Sequence, residues 1–165
     1  MNRTLYMEFI ASAVLIGLIS CSAPAETTSA SPTSLEEDFD RSTLIIVSDD
    51  GLEHTFDIYL ATSAPQQRRG LMFVREMPAS TGMLFIYKDT DYHSMWMKNT
   101  YISLDLIFAK EDGTISSIIH DAQPLSLTSQ ASIEPVTYVL ELNAGTARRL
   151  HIGNKSRIVW DPSTT

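Results

Sequence analysis

From Arg41 onward the chain is a succession of short apolar runs separated by turn signals, the pattern of a mostly β domain. Leu44 to Val47 is rich in β-branched residues, and Asp49-Asp50-Gly51 marks a turn. Beyond it Phe56, Ile58 and Leu60 alternate with Thr55, Asp57 and Tyr59, so these two segments predict a hairpin with one buried face. Gly82 to Tyr87 and His93 to Met97 read as strands joined by the polar link Lys88-Asp89-Thr90-Asp91. Leu104 to Ala109, the turn Glu111-Asp112-Gly113 and Thr114 to His120 make a second hairpin. Val136 to Leu142 and Arg157 to Trp160 complete the strands.

Helical signals are few. Ser63-Ala64-Pro65-Gln66 is a capping-box pattern with proline in the first turn, and Gly70 closes the segment as a C-cap. Asn143 is placed to cap a second short helix ending at Leu150, followed by a turn at Gly153-Asn154. Asp121 to Pro135, with two prolines, three serines and no period, reads as a long surface loop. The expected fold is mainly β: a compact single-domain barrel or sandwich over residues 41–162, with seven or eight strands and two short helices.

The N-terminal pattern is of another kind. Arg3 precedes an apolar run from Phe9 to Ile19, too short to span a bilayer and suited to a signal-peptide core. It ends in Leu18-Ile19-Ser20-Cys21, which resembles a bacterial lipoprotein signal. That resemblance implies a signal peptide over residues 1–20 and lipidation of Cys21 as the first mature residue. Ser22 in place of Asp then implies the periplasmic face of the outer membrane in a Gram-negative host. An ordinary secretory signal cleaved near Ala23 or Ala25 is the alternative. Ser22 to Ser34 is almost all Ser, Thr, Ala and Pro, and residues 21–40 read as a flexible acidic tether.

Charge sharpens this division. The 165 residues carry 20 acids against 12 bases, a net charge of -8. Five acids and no base fall between Cys21 and Asp40, which leaves 14 acids and 11 bases from Arg41 onward. Without a surplus of Lys and Arg, no nucleic-acid partner is expected. Cys21 is the only cysteine, so once it is lipidated the domain holds no disulfide, thiol nucleophile or thiolate metal site.

The most distinctive stretch is Trp96-Met97-Lys98-Asn99-Thr100, followed by Leu104-Asp105-Leu106-Ile107-Phe108. Together with Arg69-Gly70-Leu71-Met72, Gly82-Met83-Leu84-Phe85 and Leu140-Glu141-Leu142-Asn143-Ala144-Gly145 it resembles domain of unknown function 192, over about Thr55 to Trp160. The resemblance implies a compact, mainly β fold, often exported, and no established activity.

Strand alternation puts Trp96 and Lys98 on one side and Met95 and Met97 on the other. An indole beside a cation, followed by Asn99 in a turn, makes a shallow platform for a small polar ligand or envelope component. Arg69, Asp105, Glu141 and Asn143 are the matched polar positions that would complete it. The structural reading stands beside this one: a Lys stem packed on Trp, an ion pair to Asp or Glu, a turn at Asn99, a helix cap at Asn143, and Arg69 facing a helix dipole.

No nucleophile elbow, phosphate loop or dinucleotide fingerprint occurs, so a binding protein without a cofactor is expected ahead of an enzyme. Two alternatives remain. Asp105 and Glu141 would serve a hydrolase if they converged at a defined separation. His93, Met95 and Met97 offer imidazole and thioether ligands to Cu(I), although a Met stripe is more often core packing, and only Met97 belongs to the family motif.

Overall fold

The computed structural model describes residues 35–161. The signal peptide, Cys21 and the tether as far as residue 34 lie outside the described residues. In chain order the elements are α1 (Leu35–Asp38), β1 (Asp40–Val47), β2 (Glu53–Ala61), α2 (Ala64–Arg69), β3 (Thr81–Asp91), β4 (Ser94–Met95), β5 (Leu104–Ala109), β6 (Ile115–Ala122), β7 (Gln130–Ala131), β8 (Val136–Asn143), α3 (Thr146–Arg149) and β9 (Arg157–Val159).

Seven strands form one sheet in the order β6-β5-β8-β3-β2-β1-β9, curled into a half-barrel, while β4 and β7 pair separately. All neighbours run antiparallel except β2 and β3, which are parallel and joined through α2. The expected mainly β architecture is therefore what forms, with the barrel left open along part of one seam.

That seam closes at one end. Ile158 N donates to the Gly113 carbonyl at 2.8 Å, Ile115 N donates to the Ser156 carbonyl at 3.3 Å, and Thr114 bridges Arg157. The turn can approach β9 because it is built on glycine. Gly113 has φ of 83°, and a Cβ there would stand 2.0 Å from the Ile158 oxygen.

Two apolar clusters use the two faces of the sheet. The inner one draws on all seven strands, among them Leu44, Ile58, Leu84, Ile107, Ile115, Leu140 and Ile158. The outer one packs Met83, Phe85, Leu104, Leu106, Phe108 and Val139 under Phe39, Leu71, Met95 and Met97 from the covering segments. Strands β3, β5 and β8 thus have both faces covered at the middle of the sheet, which is why their sequences read as continuous apolar runs instead of alternating.

Several local differences from the sequence-based expectation have physical causes. Structure begins before Arg41: Phe39 is only 4% exposed, and the Tyr59 hydroxyl donates to Glu36 at 2.6 Å, so one buried ring fixes the end of the acidic segment as α1. Strand β3 does not stop at Tyr87. It runs on through Lys88 to Asp91 as an exposed extension, tied to β8 where Thr90 and Thr137 share a hydroxyl hydrogen bond of 2.8 Å. Asn143 caps no helix. Its Nδ2 donates to the carbonyls of Met77 and Pro78, and the first turn of α3 is capped from across the sheet by Asp105.

Replacing Gly113 by Ala is expected to lower stability by roughly 2 to 5 kcal/mol, combining left-handed strain with overpacking at the seam. Gly51→Ala, at φ of 81° with nothing within 4 Å of the added carbon, should cost only about 1 to 2 kcal/mol. Equal losses for the two variants in urea unfolding would show that the close approach of β9 is not what makes Gly113 necessary.

Candidate functional site

The segment 93–98 holds the expected alternation even though only Ser94 and Met95 are a formal strand. Ser94, Trp96 and Lys98 point outward, while Met95 and Met97 enter the outer core. The indole of Trp96 is 50% exposed, and the Lys98 ammonium lies 5.1 Å from its ring centroid. Lys98 makes no ion pair among the described residues. Asn99 then turns the chain at φ of 57°, a conformation that asparagine tolerates better than most residues. Its carbonyl accepts from Phe73 N at 2.8 Å.

Arg69 ends α2, a helix whose capping box at Ser63 and Gln66 and C-cap at Gly70 form as the sequence predicts. Its guanidinium donates to the Gly70 and Met72 carbonyls, and its Nε stands 3.6 Å from Asp38. Arg69 therefore fastens the chain beyond the helix and also contributes to a cavity wall.

That cavity, about 30 Å³, is where three of the sequence-selected residues meet. Arg69, Trp96 and Glu141 line it together with Gln67, Met95 and Thr100. Trp96 and Met95 also line a wider surface recess of about 270 Å³, together with Ser94 and Ser129. Gln67, Arg68, Met72 and Thr100 are contributors that the sequence reading did not select. Thr100 lay inside the Trp96 motif, so its position was the available signal.

Glu141 is the unusual member. It is 4% exposed and pairs in register with Met83 on one side and Leu106 on the other, facing the outer core. Its carboxyl forms no hydrogen bond or ion pair among the described residues, and its oxygens keep a narrow access to the cavity they line. Burial without a partner pushes its pKa up to about 8, because a carboxylate there would lose water and gain nothing in return. Tyr87 on β3 is driven up to about 12, first by burial and then by Glu141. The Tyr87 ring stacks on His93 at 3.5 Å, and its hydroxyl donates to the Met95 sulfur at 3.5 Å.

Asp105 lies on the opposite face of the sheet. Paired with Leu142, it faces the inner core and accepts from Ala147 N at 2.8 Å and Asp121 N at 3.1 Å. His120 Nδ1 stands 3.8 Å away. Asp105 and Glu141 are thus separated by the sheet itself, and they do not converge as a hydrolase pair would require. For Cu(I), Met97 is wholly buried in the outer core and His93 is stacked on Tyr87, so the three proposed ligands do not share an opening.

Another cavity, of about 470 Å³, is lined by Gly113, Arg157, Ile158 and Trp160 on a different part of the domain. Its apolar floor includes Leu84 and Ile158, and Arg157 at its rim donates to the Asp112 carbonyl. The cavity at Glu141 differs from it in holding a buried carboxyl with no hydrogen-bond partner among the described residues.

The Glu141 proton has a consequence for stability. Its folded-state pKa lies above the ordinary carboxyl value of 4.5, so folding retains a proton that the unfolded chain releases. Stability should fall as pH rises from about 4.5 to about 8, by roughly 5 kcal/mol in the limit of full burial. Glu141→Gln is expected to be nearly neutral at pH 4.5 and stabilising at pH 9, as read by melting temperature. A variant that melts with the parent at both values would show that Glu141 is not held protonated.

Over residues 45–160 the chain matches the model of the family DUF192, described as an uncharacterized ACR. No curated protein matches it. Its fold is similar to the crystal structure of a candidate transcription regulator from Sinorhizobium meliloti, 40% identical with a TM-score of 0.72, over 73% of this chain and 94% of that one. It is also similar to a protein of unknown function from Novosphingobium aromaticivorans, 32% identical with a TM-score of 0.73, over 79% of this chain and 90% of that one. With the family model covering residues 45–160, from within β1 to the end of β9, the chain belongs to the DUF192 family.

Proposed function

We propose that this protein recognises a small polar ligand at the Trp96 face, and that lipidated Cys21 holds it at the periplasmic side of a bacterial outer membrane. The observation that carries the ligand reading is Glu141, a buried polar group left without a partner beside a cavity. Buried polar groups are normally hydrogen-bonded, and the exceptions call for an unseen partner or a function. A cavity of about 30 Å³ accommodates one polar group of a ligand, or a water in its place. The recess beyond Trp96 then receives the ligand body, stacked on the exposed indole.

Lys98 and Asn99 shape this face: the first lies over the ring, and the second sets the turn that presents it. Asp105 and Asn143 act as structural supports, bonded to backbone groups away from the cavity. The Sinorhizobium neighbour is described as a regulator of transcription, but a chain of net charge -8 lacks the cationic surplus for DNA phosphate.

A thermal-shift screen of the full chain against sugars, peptidoglycan fragments and amino acids should find a ligand that raises the melting temperature, since binding to the folded state alone must do so. Trp96→Ala should abolish that shift while costing about 1 to 2 kcal/mol of stability, less than for a fully buried tryptophan. If no compound shifts the transition and the variant loses 3 to 5 kcal/mol as a core residue would (about that range for buried Trp), Trp96 is packing and the ligand reading fails. For the anchor, Cys21→Ser should release the protein from the membrane fraction of its host; a variant that stays there would overturn lipidation as the attachment.

A further inference from the structure

The Glu141 carboxyl has no hydrogen-bond partner among the described residues, and donors in the cavity wall are directed to backbone carbonyls, which leaves a carboxylate there without stabilisation and the carboxyl as a donor. Gln67 Nε2 donates to the Ile86 carbonyl at 2.8 Å, Thr100 Oγ1 to the Lys98 carbonyl at 3.4 Å, and Arg69 to the Gly70 and Met72 carbonyls. The mouth of the cavity, by contrast, is cationic. Arg68 lines it without an acidic partner among the described residues, Lys98 lies over Trp96, and Arg69, paired with Asp38, completes the wall. A cationic ligand would meet repulsion there, and a neutral one would gain nothing from it.

We propose that the ligand of this site is an organic acid, one of whose carboxylate oxygens enters the cavity and accepts a hydrogen bond from the Glu141 carboxyl while Arg68 and Lys98 attract its charge. This rests on the ligand reading given above and names the class of molecule that the face takes. Burial supports it, since a carboxyl held up to about 8 is a donor at neutral pH. A hydrogen bond between a carboxylic acid and a carboxylate is short and charge-assisted, and it forms only while one partner keeps its proton.

The groups packed around Glu141 leave it as the titrating element. Tyr87 on β3 is raised to about 12 and is a neutral phenol throughout, with His93 stacked on its outer side. Leu104 and Leu106 of β5 and Met83 and Phe85 of β3 carry no charge. The remaining charged groups facing the site are Arg68 and Arg69 of α2 with Asp38, and Lys98 of the Trp96 segment. Ionisation of Glu141 would set a second negative charge against the ligand.

The test is calorimetric titration of the full chain with glucuronate and glucose, and with N-acetylmuramate and N-acetylglucosamine, at pH 7 and pH 9. At least one acid should bind at pH 7, its neutral counterpart at least about tenfold more weakly, and its affinity should fall about tenfold by pH 9 as Glu141 loses its proton. Glu141→Gln, which keeps an N–H donor and cannot ionise, should bind the acid with no such pH dependence. Lys98→Gln should weaken the acid several-fold and leave the pH dependence in place. Equal binding of acid and neutral sugar, or an affinity that rises with pH, would overturn the organic-acid class and leave the Trp96 platform standing. No binding by any of the four at either pH would overturn both readings.

Discussion

Three adjacent strands, β5, β8 and β3, are covered on both faces, and any charge they carry must be satisfied without bulk water. This single constraint separates the two carboxyl groups at the centre of the sheet. Asp105 projects into the inner core, where two backbone amides, from Asp121 and from Ala147 at the start of α3, meet its oxygens. A carboxylate bonded in this way is worth its desolvation cost and ties α3 to the sheet. Glu141, one register step away on the next strand, projects to the outer face among Met83, Phe85 and Leu106, and finds no donor. The same residue class at the same depth is therefore hydrogen-bonded on one face and left without a partner on the other.

How much of this the sequence discloses follows from the range of each interaction. The helix at 64–69 was legible in full, since its capping box, proline and terminal glycine all act within seven residues. Alternation across 93–98 was equally local, and it placed Trp96 and Lys98 on the same side as observed. What stayed hidden depends on pairing between distant strands. The parallel contact of β2 with β3 leaves no mark in either segment, and the faces of Asp105 and Glu141 are set by the register of β5 on β8, where a slip of one residue would exchange them. Asn143 is an instructive miss: a cap-forming residue stood at the right local position, yet Asp105, 42 residues before the Ala147 amide it accepts from, took the role and freed the Asn143 amide to hold the 77–78 turn.

Arg69 shows why the structural and ligand readings of a polar residue need not exclude each other. Its hydrogen bonds go to carbonyls that the end of α2 leaves open, as the helix-terminus argument requires. Those same bonds hold the guanidinium in the cavity wall, so the residue contributes charge to the site at no further entropic cost. Asn99 behaves alike, since the turn it forms is what presents Trp96 and Lys98 to solvent.

The location of the cavity would also couple the proposed binding to folding. A pocket in a peripheral loop can fill or empty with little effect on global stability, because the loop is a small and separately opening part of the molecule. Glu141 instead sits on β8, between β5 and β3, where the sheet cannot open locally without breaking both cores. Any group that supplies its missing hydrogen bond removes a penalty borne by the whole fold. On the proposed reading, stability and binding would be two expressions of one free energy, since the unpaired carboxyl that lowers the stability of the domain is also what would give a ligand something to gain.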